Sequence, residues 1–140
     1  MAWTALVGPE IEENLSLRYL AAALARAGER VEVVPYNGPA DFNATLARLL
    51  EEDEAPAVVA ISLSFQWRAS DCLALAVALR QRGYRGHITG GGHFGTFAAA
   101  ELLSDFPELD TLCRHEAEET LVELVRALRV GGDLALIPGL

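Results

Sequence analysis

At 140 residues, 51% of them hydrophobic and 22% charged, the chain is sized for one domain and is too apolar to stay disordered. A net charge of −9 disfavours nucleic acid and anionic lipid as partners, and no apolar run approaches the roughly 20 residues that cross a bilayer. Cys72 and Cys113 stand apart with no C-x-x-C pair, and no cationic stretch precedes the first apolar run, which together predict a reducing, cytoplasmic setting.

Leu6-Val7 ends a first short strand at Gly8-Pro9, and Leu17, Leu20, Ala21 and Leu24 then recur at helical spacing up to Gly28. A second strand, Val31 to Val34, is broken by Pro35 and Asn37-Gly38-Pro39, after which Asp41 is placed to cap a helix carrying Leu46, Leu49 and Leu50. Ala57 to Ile61 is apolar without a period of two, the pattern of a central parallel strand buried on both faces. A helix with Leu73, Ala76, Val77 and Arg80 ends at Gly83, and a short strand around His87-Ile88-Thr89 runs into Gly90-Gly91-Gly92. The fourth helix is predicted over 97–103 and the fifth strand from Asp110 to Cys113. The last helix carries Leu121, Leu124, Val125 and Leu128 and closes at Gly131-Gly132.

This alternation predicts an α/β fold: a flavodoxin-like (Rossmann-type) three-layer domain with a five-stranded parallel sheet in the order 2-1-3-4-5. The domain is expected over residues 1–132, with 133–140 as a tail or a junction to a further domain. Ligands of such sheets bind beyond the carboxyl ends of the strands, which directs attention to the loops beginning at Gly8, Ser62, Gly90 and Arg114.

The loop Gly90-Gly91-Gly92-His93-Phe94-Gly95-Thr96 lets a ligand approach backbone free of Cβ atoms, and the helix start behind it offers N–H donors and the Thr96 hydroxyl. A tight strand-to-helix turn uses the same glycines. Ser62-Leu63-Ser64-Phe65-Gln66-Trp67 sets hydroxyls at the sheet edge with two rings beyond them, suited to a large flat ligand, although Trp67 also fits helix packing. In the first loop, Glu10, Glu12 and Glu13 gather at a helix start, where the dipole alone accounts for them. That loop has neither a flavin-phosphate cradle nor the G-x-G-x-x-G fingerprint, and Ser62 stands where a phosphate-accepting receiver domain would need an Asp. Arg114 and His115 precede an acidic helix start; His115 is either a ligand contact or a solvent-facing loop residue. His87 lies at the opposite strand end and is given no role.

Taken together, Pro9 followed by Glu13-Asn14-Leu15, then Tyr19-Leu20-Ala21, Ile61-Ser62, Gly90-Gly91-Gly92-His93-Phe94 and Arg114-His115-Glu116-Ala117-Glu118 resemble one family across nearly the whole chain. It is the cobalamin-binding domain upstream of the radical S-adenosylmethionine core in cobalamin-dependent radical enzymes. The resemblance implies a corrin lying across the strand ends and a nucleotide tail inserted beside the sheet. It assigns the tail to Ser62, Ser64, Gly90, Gly91, Gly92 and Thr96, and the corrin border to Phe65, Trp67, His93 and Phe94, with Arg114 and His115 on the rim.

Two departures carry consequences. Methionine-synthase-type cobalamin domains have D-x-H-x-x-G after the first strand; Val7, Pro9 and Glu12 occupy those three positions here, so the cofactor is expected base-off with no imidazole from that loop. The last loop of the resembled family usually reads R-G-E-G-E, and His115 and Ala117 replace its glycines, which leaves His115 or His93 as candidate metal ligands from another direction. No C-x-x-x-C-x-x-C run is present to hold an iron–sulfur cluster, so these residues alone are not expected to perform radical chemistry. The expectation is a cobalamin module, either serving methyl transfer or radical chemistry in a larger enzyme or acting as a free-standing carrier or sensor. The alternative is a flavodoxin-like enzyme or regulatory domain holding another small molecule in the same crevice. Phe65, Trp67 and Phe94, if uncovered, would form an apolar patch that favours self-association.

Overall fold

The apolar runs become five strands: β1 (Trp3–Gly8), β2 (Arg30–Pro35), β3 (Val58–Ser62), β4 (His87–Gly91) and β5 (Thr111–Cys113). In this computed structural model residues 2–9, 15–63 and 66–140 are described. Ser64 and Phe65 lie outside the described residues, as do the side chains of Trp67, His93 and Phe94. The strands pair in parallel in the order β2-β1-β3-β4-β5, as the alternation of strands and helices predicts. Every residue of β1 is buried, because a central parallel strand has helices over both faces.

Helices α1 (Leu15–Arg26) and α6 (Glu118–Val130) cover one face, while α2 (Phe42–Leu49), α3 (Gln66–Gln81) and α5 (Ala99–Asp105) cover the other. Two apolar cores result, one centred on Leu6, Leu24, Leu121 and Leu124, the other on Val7, Ile61, Leu75, Leu79 and Leu112. Gly131 ends α6 in the left-handed conformation (φ 71°), its N–H bonded to the Ala127 carbonyl. No helix among the described residues is long and apolar enough to cross a membrane.

Three local expectations need correction. The single helix over 97–103 is two short helices, α4 (His93–Phe97) and α5, separated at Ala98. β4 does not end at Thr89: Gly90 and Gly91 pair with both neighbouring strands, so the turn begins only at Gly92. Asp41 precedes α2 but makes no side-chain cap, because its Oδ2 accepts the Asn37 N–H at 2.8 Å and holds the preceding turn instead. The segment after α6 folds back: Ile137 is buried with the α1/α6 core, and the Gly139 carbonyl accepts the Arg114 N–H just past the end of β5.

Candidate functional site

Strand register decides what the carboxyl edge presents. Leu6, Ala60, Thr89 and Thr111 stand side by side, and one pleat nearer the carboxyl ends Ser62, Gly91 and Cys113 form a second row. Both rows face α1 and α6, since side chains two apart on a strand share a face. Apart from Leu6 they are small, so a shallow strip is left between the sheet and Leu17 and Leu20 of α1 and Ala117 and Leu121 of α6. The enclosed space is about 50 Å³, and widening it to take a heterocycle requires the leucine walls to move outward, not the sheet.

The consecutive glycines do different things. A Cβ on Gly91 would meet nothing closer than the Cys113 carbonyl at 3.6 Å, so its missing side chain leaves the strip open. A Cβ on Gly90 would point to the opposite face, 2.7 Å from Leu112 Cδ2 and 2.8 Å from Leu63 Cδ1, so this glycine serves core packing. Only Gly92 of the three uses a positive φ, 105°, to turn the chain into α4. At five residues α4 is too short for its dipole to add much to the N–H donors at its start.

The remaining expected residues form a rim. Ser62 ends β3 half-buried beside the strip, and Trp67 lies in the first turn of α3, with His93 and Phe94 opening α4. Thr96 Oγ1 accepts the His115 N–H at 2.8 Å, tying α4 to the last loop. His115 takes φ 62°, the left-handed region, where glycine carries no penalty; this is one of the two glycine positions of the resembled family. Ala117, at the other, has φ −102° and is unstrained. Arg114 and His115 are exposed on this rim. Sequence reading overlooked Thr89 and Cys113: the two-residue spacing of Thr89 from Gly91 is visible in the sequence, but the register that sets Cys113 beside Gly91 is not.

A larger cavity, about 630 Å³, opens at the amino ends of the strands beside Arg80, His87, Asp110, Glu29 and Arg129. Four of its charged side chains are paired with one another. Arg80 donates to the carbonyls of Tyr84 and Gly86 at 2.8 and 2.9 Å and to Asp110 Oδ2 at 2.6 Å, and Arg129 pairs with Glu29 at 2.7 Å. Burial pushes His87 below its usual range, opposed by Asp110 and reinforced by Arg80. Burial likewise raises the Cys113 thiol, against a hydrogen bond to Thr89 that lowers it, so the strip holds a neutral sulfhydryl.

A protein-family model described as the B12 binding domain matches residues 5–125. Among solved structures, the radical S-adenosylmethionine methyltransferase TsrM from Kitasatospora setae, with cobalamin and a [4Fe-4S] cluster bound, superposes with a TM-score of 0.84 at 23% identity, over 99% of this chain and 27% of that one. The cobalamin-dependent S-adenosylmethionine radical enzyme OxsB, with aqua-cobalamin and S-adenosylmethionine bound, gives 0.82 at 23% identity over 99% of this chain and 20% of that one. A response regulator from Thermotoga maritima gives 0.62 at 14% identity over 91% of this chain and 98% of that one, a likeness of fold alone. This chain thus spans about a quarter or less of the radical enzymes it resembles. No curated protein matches it by sequence.

Proposed function

Since the chain belongs to the B12-binding domain family and its cofactor is cobalamin, we propose that it holds that cofactor base-off, with the nucleotide tail in the strip between the sheet and α1/α6. The observation that carries this reading is Gly91, whose absent side chain opens the α1/α6 face between Ser62 and Cys113. Ser62, Gly91, Gly92 and Thr96, with Ser64 of the adjoining loop, hold the tail, while Gly90, expected beside them, packs against Leu63 and Leu112 on the other face. Phe65, Trp67, His93 and Phe94 border the corrin, and Arg114 and His115 close its rim.

The base-off state is supported by the tail's place in the strip, which draws the base away from the cobalt, and the first loop offers no imidazole to replace it. Val7 is fully buried in the sheet and Pro9 has no donor side chain, so the described part of the first loop brings no imidazole to the lower face. His87 is at the far end of β4, leaving His93 and His115 as the imidazoles on the cofactor side. When bound, cobalamin supplies cobalt-centred methyl transfer or radical chemistry. The protein binds it, orients it and controls access to the metal. The likeness to TsrM and OxsB supports a module working beside a radical S-adenosylmethionine core rather than a free-standing carrier or sensor. Mixing the purified protein with hydroxocobalamin, desalting it and recording the visible spectrum tests this. Retained colour with a base-off spectrum is expected; an imidazole- or benzimidazole-ligated spectrum would overturn the ligation, and colour lost on desalting would overturn the site.

A further inference from the structure

Beneath α6 a row of polar side chains runs along β4 and β5 from the amino edge into the strip. His87 Nε2 lies 2.9 Å from Thr111 Oγ1, and Thr111 Oγ1 donates to Thr89 Oγ1 at 2.9 Å. A threonine hydroxyl has one proton. With that of Thr111 committed to Thr89, the contact to His87 requires the proton on Nε2, and the row acquires a direction: His87 to Thr111 to Thr89. Burial keeps the His87 ring neutral, and Asp110 at 3.9 Å from Nδ1 is too far to hydrogen-bond it.

At the inner end of the strip the direction matters. Thr89 is buried and its Oγ1 accepts from Thr111, which leaves it one lone pair and its own proton, and the proton is what an acceptor nitrogen can use. The acceptors in reach are long ones, the Thr111 carbonyl at 3.3 Å and Cys113 Sγ at 3.7 Å. A hydroxyl so placed gains by turning to a better acceptor entering the strip.

We propose that Thr89 is a specificity-determining residue that donates a hydrogen bond to the lower base of the cofactor, selecting bases with an unsubstituted ring nitrogen, and that Thr111 and His87 orient its proton. This rests on the tail lying in the strip. A base released from cobalt brings an acceptor nitrogen into a largely apolar space, and burying it unpaired is costly. A cobamide whose lower base is a phenol has no such nitrogen and leaves Thr89 with its long contacts. Cobinamide, lacking the nucleotide, never reaches Thr89.

Dissociation constants for cobalamin, a phenolyl cobamide and cobinamide, measured on wild type, Thr89→Val and Thr89→Ser, test the assignment. Wild type should prefer cobalamin over the phenolyl cobamide by about 10-fold. Thr89→Val, which keeps shape and removes the hydroxyl, should bring that ratio near one without altering cobinamide binding, and Thr89→Ser should retain the preference. An unchanged ratio in Thr89→Val overturns the assignment, as does an equal loss for all three ligands, which would mark a structural role. Wild type binding cobinamide as tightly as cobalamin would instead overturn the tail placement, and the assignment with it.

Discussion

The two edges of the sheet are built on opposite terms. At the amino edge large side chains are locked by hydrogen bonds: Trp3 Nε1 donates to the Glu54 carbonyl at 2.7 Å, Tyr84 donates to that of Pro56 at 2.8 Å, and Arg80 gathers the carbonyls of its own turn. In the strip at the carboxyl edge the side chains are small, Gly92 and His115 beside it take a positive φ, and hydroxyls that can turn make polar contacts. The amino edge has the larger cavity, yet Arg80 with Asp110 and Arg129 with Glu29 are already paired there. Volume alone therefore misleads: a binding site needs unspent hydrogen-bonding capacity and room next to it.

The sharpest way to break this contrast is to fill the strip. Gly91→Val sends a branched side chain into the strip, where a Cβ alone meets nothing closer than 3.6 Å, and the folded protein should bind cobalamin at least about 100-fold more weakly by equilibrium titration. Unimpaired binding would place the tail elsewhere. A second, intermediate effect belongs to the amino edge. Arg80→Met takes the donor from three carbonyls and the ion pair from Asp110, whose Oδ2 keeps the Ile88 N–H, and should cost about 2 kcal/mol in urea unfolding while leaving cobalamin affinity of the folded protein unchanged. Loss of affinity at full folding would show that the edges are coupled. The smallest effect sharpens the rim: His115→Gly relieves the left-handed backbone and should raise stability by about 1 kcal/mol, read as a rise of a few degrees in Tm. A fall in Tm would mean that the His115 side chain stabilises the loop by more than its backbone strain costs.

Much of the fold was legible because its signals are local. Strands buried on both faces read as short apolar runs, Gly28, Gly83 and Gly131 mark chain reversals with positive φ, and Leu121, Leu124 and Val125 fall on one helical stripe. The family pattern was equally visible in the loops. Less was legible of the site itself. Gly90 and Gly91 are identical letters in one run, and nothing nearby says that one faces Leu63 and Leu112 while the other faces the strip. The tie between α4 and the last loop was hidden for a similar reason: Thr96 is held by a backbone N–H nineteen residues away.

The sequence by itself determined the succession of elements, the parallel sheet they form and the edge at which a ligand would bind, because these follow from periodicity and crossover geometry within some thirty residues. Tertiary structure decided which parity of each strand looks into the strip, since that depends on α1 and α6 converging from opposite ends of the chain over one face. It also joined Thr89 to Thr111 and His87, by a register between β4 and β5 that neither strand encodes alone.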